Sequence, residues 1–284
     1  MAVMLDAKTK LCIIIGNPVA HSLSPAIHNA AFAALGLNFV YTAHRVEDVL
    51  AAVKGIRALG IRGASVTIPH KLAVIPFLDE VDPVAAWIGS VNTIVNEEGK
   101  LKGSNTDGEG AMKALADAGV KLPGKRVVMI GSGGAARAVG FTLAARAKLG
   151  SLTILGIVEW ELLKLAGDIA EKTPVKAKGK RMKDEVLAEE IEKSELVIQC
   201  SPVGMHPKVD ETPVPKELLR KDLTVMDIVY NPRETRLLRE AKAAGAQIIP
   251  GFEMFLNQAV LQFEKWTGQK APVEVMRGVL AKSL

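Results

Sequence analysis

Residues 127–139 read VVMIGSGGAARAV, and this stretch decides how the second half of the chain folds. The leading apolar residues predict a buried strand, and residues 135–143 predict a helix. Between them Gly131, Gly133 and Ala136 have the spacing G-x-G-x-x-[GA]. The first glycine permits a tight turn, the second lets a pyrophosphate approach the backbone, and the small third residue lets the helix pack closely on the strand. The motif predicts a dinucleotide site on the helix amides, and a glycine-rich turn of another α/β protein is the alternative.

Strands and helices alternate regularly after this motif. The later apolar segments are LTILG (152–156), ELVIQCSPVG (195–204), LTVMDIVYNP (223–232) and AQIIPG (246–251). The alternation predicts a doubly wound parallel sheet, with Pro202 and Pro232 just past two strand ends. The lysine-rich segment 176–183 is predicted to be a solvated loop, because no aromatic residues are interleaved with its lysines as in a nucleic-acid surface.

The composition limits the class of protein. A chain of 284 residues, 49% of them hydrophobic, can fill the cores of about two domains. Cys12 and Cys200 are too few for a disulfide framework or a metal cluster, which favours a reducing cytoplasm and no bound metal. The first residues, MAVMLDAKTK, lack the apolar run of a signal peptide, and no segment reaches the length of a membrane span. We therefore expect a cytoplasmic protein that binds neither nucleic acid nor membrane, and whose net charge of +5 can steer anionic ligands.

The N-terminal half begins with a short apolar strand, LCIII (11–15), followed by the polar segment HSLSP (21–25). Ser22 and Ser24 lie where parallel strands present their carboxyl ends, so two hydroxyls there can hold a small anion or a polyol. Ser24 precedes Pro25, and helix capping is the alternative role for its hydroxyl.

Polar residues also follow the next strands. The segment GASVTIPHK (63–71) ends in Thr67, a proline turn and Lys71, and a cation in a first helical turn would oppose the helix dipole. Asn92 lies inside a strand and Asp107 opens a helix, where turn and cap roles are the common alternatives. Gln258 lies on the first of two amphipathic helices in the tail, either at the surface or in contact with a polar ligand.

Taken together, eight blocks of this sequence are similar, in the same order, to the shikimate dehydrogenase family. They are HSLSPAIHN (21–29), GASVTIPHK (63–71), GSVNTIV (89–95), NTDG (105–108), VVMIGSGGAARA (127–138), SPVGMHP (201–207), DIVYNP (227–232) and PGFEMFLNQAVLQFEKWTG (250–268). The resemblance implies an α/β substrate domain with a mostly parallel sheet over residues 1–107, a Rossmann domain over 108–251, and helices over 252–284 that return to the first domain. It implies reversible reduction of 3-dehydroshikimate to shikimate with NADPH, in a monomer or homodimer.

The resemblance also assigns roles to individual residues. It implies a catalytic pair, Lys71 and Asp107. The residues expected to bind the substrate are Ser22 and Ser24 at the carboxylate, Thr67, Asn92 and Gln258 at the ring hydroxyls, and Tyr230 from the cofactor side. The residues expected to bind the cofactor are Gly131, Ser132, Gly133, Gly134 and Ala135 at the pyrophosphate, and Ile228 and Gly251 near the nicotinamide.

One block departs from the family pattern. After the second Rossmann strand the family usually has Asn-Arg-Thr and a further basic residue, which bind the 2′-phosphate of NADP, whereas residues 156–161 of this chain read GIVEWE. An acid here, with Glu159 as the candidate, can instead accept a hydrogen bond from the free ribose hydroxyl of NAD. The cofactor is therefore NADP by resemblance or NAD by local chemistry. The alternatives for the whole protein are a quinate/shikimate dehydrogenase that uses NAD and a non-catalytic nucleotide-sensing protein.

Overall fold

The computed structural model describes residues 5–283, which divide into two compact units. Unit 1 holds the chain up to Thr106 and again from Gln258 onward, and unit 2 holds Asp107–Asn257.

Strands and helices alternate along most of the chain. The strands are β1 (Lys10–Gly16), β2 (Phe39–Arg45), β3 (Gly63–Val66), β4 (Glu80–Val81), β5 (Thr93–Glu97), β6 (Lys100–Ser104), β7 (Arg126–Ile130), β8 (Ser151–Gly156), β9 (Ala177–Arg181), β10 (Leu196–Gln199), β11 (Thr224–Asp227) and β12 (Gln247–Pro250). The helices are α1 (Ser24–Ala34), α2 (Val49–Ala58), α3 (Pro83–Ile88), α4 (Thr106–Asp117), α5 (Gly134–Arg146), α6 (Glu159–Lys172), α7 (Asp184–Glu192), α8 (Arg236–Ala243), α9 (Gly251–Thr267) and α10 (Val273–Ser283), with 3₁₀ turns at Ile75–Phe77 and Lys216–Leu218.

Unit 1 is built on a six-stranded sheet in the order β2-β1-β3-β5-β6-β4. Strand β1 pairs in parallel with β2 and β3, and β5 runs antiparallel to both of its neighbours. The end of α9 lies on this sheet because Gly63 has no side chain: a β-carbon there would lie 2.1 Å from the indole of Trp266. The indole Nε1 donates to the carbonyl of Ile94 at 3.0 Å, and Arg62 Nε donates to the carbonyl of Trp266 at 2.8 Å. The predicted return of the C-terminal helices to the first α/β layer is confirmed.

Unit 2 is built on a second six-stranded sheet in the order β12-β11-β10-β7-β8-β9. All of its strand pairs are parallel. The strand order reverses between β7 and β10, which is the doubly wound order of dinucleotide-binding sheets. The predicted Rossmann-type fold is confirmed, and the G-x-G-x-x-[GA] turn joins the carboxyl end of β7 to α5.

One local prediction is wrong, and one alternative role is excluded. The lysine-rich segment 176–183 is not a loop, since its centre forms β9, the edge strand that pairs with β8 over Leu152–Gly156. An edge strand exposes one face and one row of backbone groups, so it accepts lysines that a central strand would exclude. Ser24 does not cap α1, because the cap position falls on Leu23 and no side chain caps that helix. Ser24 is instead the first residue of α1 and is buried.

Among residues 5–283, no helix combines the length and the apolar character that crossing a membrane requires. The same residues contain no cluster of three histidine, cysteine, aspartate or glutamate side chains arranged to hold a metal ion.

Candidate active-site residues

The first group of predicted site residues follows β1 in unit 1. Ser24 N donates to Ser22 Oγ at 3.3 Å, so the two serines are adjacent. The turn that begins at Gly16 packs against the segment after β3, because Asn17 N donates to the carbonyl of Ile68 at 3.0 Å. This hydrogen bond brings the carboxyl ends of two parallel strands together, where open α/β sheets bind their ligands.

Thr67, Lys71 and Asn92 lie on neighbouring segments at this end of the sheet. Val66 N donates to the carbonyl of Asn92, and Val91 N donates to the carbonyl of Lys71, each at 2.8 Å. Thr67 and Lys71 are half-buried and Asn92 is buried. The polar residues that the sequence singled out on β3 and before β5 are therefore brought together.

The side chain of Asn92 has a fixed orientation. Its Oδ1 accepts from Thr93 Oγ1 at 2.7 Å and from the backbone N of Thr106 at 2.8 Å. The oxygen of the amide is thus directed at protein donors, and the amino group donates to Thr106 Oγ1 at 3.1 Å, so both ends of the amide are held by the protein. Thr106 is the residue before Asp107, which lies in the first turn of α4.

A buried polar network connects α9 to this part of unit 1. Gln262 Nε2 donates to the carbonyl of Asn92 at 3.1 Å and to Thr93 Oγ1 at 2.9 Å, while Gln262 Oε1 accepts from Ser65 Oγ at 2.7 Å. Tyr41 completes the network by donating to Ser65 Oγ at 2.6 Å. Gln258 lies four residues before Gln262, so the two share one face of α9.

In unit 2 the glycine-rich turn has the geometry that its motif predicts. Gly131 has a φ of +114°, and a β-carbon there would lie 3.0 Å from the carbonyl of Cys200. By contrast, a β-carbon added at Gly133 or Gly134 would meet no atom of residues 5–283 within 4 Å. No acid lies in the first turn of α5. An open backbone leading into the positive end of a helix fits the pyrophosphate of a dinucleotide.

The two acids that follow β8 have different surroundings. Glu159 is exposed at the start of α6, whereas Glu161 accepts a hydrogen bond from Ser132 Oγ at 3.3 Å. The acid in contact with the glycine-rich turn is therefore Glu161. Ile157 and Trp160 beside it are 78% and 68% exposed, so the loop after β8 presents apolar and acidic groups to solvent.

Ile228 and Gly251 are also brought together in unit 2. A β-carbon at Gly251 would lie 2.4 Å from the carbonyl oxygen of Ile228, so only glycine allows this approach. The buried carboxylate of Asp227 orders the same turn by accepting from Val229 N at 3.0 Å and from Thr235 Oγ1 at 2.7 Å.

Burial raises the pKa of Asp227 to about 6, against the lowering effect of its two hydrogen bonds. Tyr230 follows in the same segment, stacks on Phe255 with ring centroids 4.9 Å apart, and is 40% exposed.

The predicted site residues thus divide between the two units. Unit 1 contains Ser22, Ser24, Thr67, Lys71, Asn92 and Gln258, and unit 2 contains Asp107, Glu159, Tyr230, Ile228, Gly251 and the glycine-rich turn Gly131–Ala135. Lys71 and Asp107 belong to different units.

Comparison with known proteins identifies the family. The profile of the shikimate dehydrogenase substrate binding domain matches residues 14–94, and that of the shikimate 5'-dehydrogenase C-terminal domain matches residues 251–281. A protein of Moorella thermoacetica named shikimate dehydrogenase (NADP(+)) is 48% identical over 99% of this chain and 96% of its own length. The chain belongs to the shikimate dehydrogenase family. It is therefore an oxidoreductase, as the sequence predicted.

Two solved members of the shikimate dehydrogenase family share the whole architecture. A shikimate dehydrogenase in complex with NADP+ is 42% identical, with a TM-score of 0.90 over 98% of this chain and 97% of its own. The Listeria monocytogenes shikimate 5-dehydrogenase in complex with shikimate and NAD is 38% identical, with a TM-score of 0.95 over 99% of each chain. Structures of this family thus contain either dinucleotide.

Two residues of this shikimate dehydrogenase family member were not singled out at the sequence level. Gln262 has only the signal of its spacing from Gln258 on an amphipathic helix. Arg181 is the last residue of β9 and the parallel partner of Gly156, the last residue of β8, and the assignment of segment 176–183 to a loop gave no indication of this pairing. Of the two acids in the segment GIVEWE the sequence preferred Glu159, and Glu161 is the one that is bonded to Ser132.

Proposed function

We propose that this chain catalyses the reversible reduction of 3-dehydroshikimate to shikimate with a nicotinamide dinucleotide. The observation that carries the proposal is the grouping of Thr67, Lys71 and Asn92 after β3 and before β5 in a member of this family. We further propose that unit 1 binds the substrate and unit 2 binds the dinucleotide.

The proposed substrate matches the chemistry of the unit 1 residues. Shikimate carries one carboxylate and three hydroxyls, and the adjacent hydroxyls of Ser22 and Ser24 suit the carboxylate. Thr67, Asn92 and Gln258 offer donors and acceptors for the ring hydroxyls, with the amide of Asn92 already oriented by its bonds to Thr93 and Thr106. A site of this kind discriminates strongly, because an analogue that lacks a hydroxyl leaves a buried polar group unpaired.

Lys71 is the proposed general acid for reduction. The bound dinucleotide supplies a hydride, and negative charge then develops on the carbonyl oxygen of the substrate. The ammonium of Lys71 stabilises this charge and delivers the proton, and in the oxidation direction the same group acts as the base. Asp107 is proposed to accept a hydrogen bond from a substrate hydroxyl and so orient it towards Lys71.

The amides at the start of α5 are proposed to bind the pyrophosphate. The open backbone at Gly133 and Gly134 and the absence of an acid in the first turn of α5 support this role. Ile228 and Gly251 are proposed to flank the nicotinamide, with Tyr230 approaching the substrate from the same side. The tight packing of Gly251 on the carbonyl of Ile228 gives that wall a defined shape.

NADP is the proposed cofactor, with Arg181 as the cation for its 2′-phosphate. Arg181 is the last residue of β9, where it pairs with Gly156, and Met182 N donates to the carbonyl of Gly156 at 2.9 Å. Its guanidinium has no ion pair within residues 5–283. A guanidinium next to the end of β8 can take the role of the family arginine that is replaced here by Ile157, since it suits a phosphate by charge and geometry.

A second candidate function is a quinate/shikimate dehydrogenase that uses NAD. The acids Glu159 and Glu161 favour it, because Glu161 contacts the glycine-rich turn through Ser132 and would repel a 2′-phosphate. Steady-state rates of shikimate oxidation with NADP+ and with NAD+, with quinate in parallel assays, separate the two candidates. Absence of shikimate oxidation with both cofactors would overturn the proposed activity.

A further inference from the structure

Unit 2 contains a concave site that the proposed activity does not use. It is a cleft of about 410 Å³ at the amino-terminal ends of β7 and β8 and along β9. We call it the basic cleft, after the residues Arg126, Lys176, Lys178, Lys180 and Lys193 that line it. Gly131 follows the carboxyl end of β7, so the basic cleft and the glycine-rich turn lie at opposite ends of the same strands.

The cleft lies beside α7, since Glu189 and Glu190 of this helix line it. Leu187 and Ile191 of this helix pack into the core with Val128 and Val197, which belong to the central strands β7 and β10. Ser151 and Thr153 of β8 and the lysines of β9 complete the lining. A concave polar surface of this volume is within the size range of small-molecule sites.

Positive charge exceeds negative charge in the cleft. Two acids line it, and both are already bonded to lysines: Glu190 to Lys180 at 2.6 Å and Glu189 to Lys193 at 2.5 Å. Thr153 Oγ1 also donates to Glu190, at 2.9 Å, which holds this carboxylate in place. The acids therefore have little capacity to neutralise the other cations.

Lys176 and Lys178 are the cations without a counter-charge. Neither forms an ion pair or a side-chain hydrogen bond within the part of the chain that the structure describes. Successive residues of a strand face opposite sides of the sheet. Gly179, between Lys178 and Lys180, faces α6, because a β-carbon there would lie 3.1 Å from Leu162. Both lysines and Lys180 therefore share the face that lines the cleft.

Protection of an edge strand explains only part of this arrangement. Lysines on β9 discourage pairing with another strand. However, Arg126 begins the central strand β7, and Lys193 follows α7, so neither protects an edge. Arg126 is held in place by Glu195 at 2.6 Å. Cations from three separate elements thus converge on one concave surface.

We propose that the basic cleft binds a small metabolite with two or more anionic groups. Lys176 and Lys178 would bind one group, and the hydroxyl of Ser151 at the start of β8 is placed in the same lining to donate to it. Phosphate and carboxylate groups share this chemistry, because each accepts charge-assisted hydrogen bonds from ammonium groups. Binding to the folded protein raises its melting temperature by an amount that grows with the ratio of ligand concentration to dissociation constant.

The proposal is tested with two probes, inorganic tripolyphosphate and citrate. Their binding is measured by titration calorimetry and by the shift in melting temperature. The full chain is used with saturating NADP+, so that the glycine-rich turn does not compete for the probes. We expect one probe to bind with a dissociation constant below about 1 mM and to raise the melting temperature. The preferred probe tells whether phosphate or carboxylate is the recognised group.

The double variant Lys176→Gln, Lys178→Gln should bind that probe at least about tenfold more weakly, since each lost ammonium removes a charge-assisted bond. The matched control is Lys121→Gln, Lys172→Gln, which removes the same charge from exposed positions outside the cleft and should bind as the wild type does. The proposal would be overturned if neither probe bound. It would also be overturned if both double variants lost the same affinity for the probe, because the loss would then be due to net charge alone.

Discussion

At the scale of single residues, Lys71 is placed by backbone bonds and not by a helix. Its carbonyl accepts from Val91 N, and His70 N donates to the carbonyl of Thr67, so the turn after β3 is closed on both sides. A lysine presented by a rigid turn loses less conformational freedom on meeting its substrate than one on a mobile loop.

Replacing Lys71 with alanine tests its role as the acid. We expect kcat for shikimate oxidation to fall by a factor of about 100 or more, while KM for shikimate stays within about tenfold, because the ammonium acts on charge that develops in the transition state. Lys54→Ala, at an exposed position of α2, is the matched control and should keep the wild-type rate. If Lys71→Ala kept a turnover close to that of the wild type, Lys71 would contribute to substrate binding only and would not be the acid.

Arg181 is the residue proposed to set the choice of cofactor. Arg181→Gln should raise KM for NADP+ by about tenfold or more and leave KM for NAD+ nearly unchanged, because only the former carries a 2′-phosphate. Arg239→Gln, on the exposed face of α8, serves as the control. Equal changes with both dinucleotides would mean that Arg181 does not contact the phosphate.

The sequence predicts polar residues at strand ends well and their partners poorly. Ser22 and Thr67 were singled out because strand ends of α/β sheets bind ligands, whereas the expected role of Asn92 came from the resemblance to the family. Gln262 and Ser65 were not singled out, because their hydrogen bond spans 197 positions and depends on how α9 lies on β3. The sequence placed both Glu159 and Glu161 after β8 and preferred Glu159, and a shift of two residues at the start of a helix changes which of them faces the glycine-rich turn.

At the scale of elements, the contact between α9 and β3 depends on the absence of a side chain at Gly63. The indole of Trp266 occupies the space that a β-carbon would need, and its Nε1 is satisfied by the carbonyl of Ile94. Large aromatic side chains contribute most of the burial in such contacts, so this pairing should hold the end of α9 on the sheet.

Gly63→Ala and Gly55→Ala form a matched pair for this contact. The first places a methyl group 2.1 Å from the indole and should lower the free energy of unfolding by about 1–3 kcal/mol. The second adds the same methyl group inside α2, where no described atom lies within 4 Å, and should raise stability by about 0.5–1 kcal/mol. Denaturant unfolding of both variants measures the difference. Equal effects of the two substitutions would show that Trp266 can move aside at little cost.

Strand β9 shows where element prediction fails. Its segment has lysines at alternating positions and only small residues between them, so neither propensity nor apolar periodicity indicates a strand. The ladder to β8 and the packing of Gly179 on α6 decide its conformation. The strands β7 and β10 are buried on both faces and consist mainly of consecutive apolar residues, which is why the sequence predicts them directly.

At the scale of the whole molecule, two buried titratable groups link stability to pH. His28 is fully buried, stacks on Tyr41 at 4.7 Å, and has no hydrogen-bond partner for either ring nitrogen within residues 5–283. Burial lowers the pKa of His28 to about 3. The unfolded chain therefore binds a proton at this histidine below about pH 6.5 that the folded chain does not bind, so stability falls as the pH falls.

The variant His28→Phe should remove this loss. As the pH falls below about 6.5, the free energy of unfolding of the variant minus that of the wild type should increase by up to about 1.4 kcal/mol per pH unit. Urea unfolding at several pH values measures this difference. Asp227 acts in the opposite direction in both proteins, because its raised folded pKa means that protonation below about pH 6 stabilises the folded state. The difference between the two proteins isolates the histidine, and a constant difference across this range would contradict the assignment.

The discontinuity of unit 1 has a consequence for biosynthesis. Its sheet is complete once Ser104 has been made, yet Gln262 and Trp266, which bond to its strands, are synthesised only after the whole of unit 2. A nascent chain therefore holds the Gly63 face of this sheet uncovered on the ribosome while the Rossmann unit, whose sequence is contiguous, can already fold. Unit 1 is the first unit to be translated and the last to be completed. A chain that ends before Trp266 should therefore contain a natively folded unit 2 and an aggregation-prone unit 1.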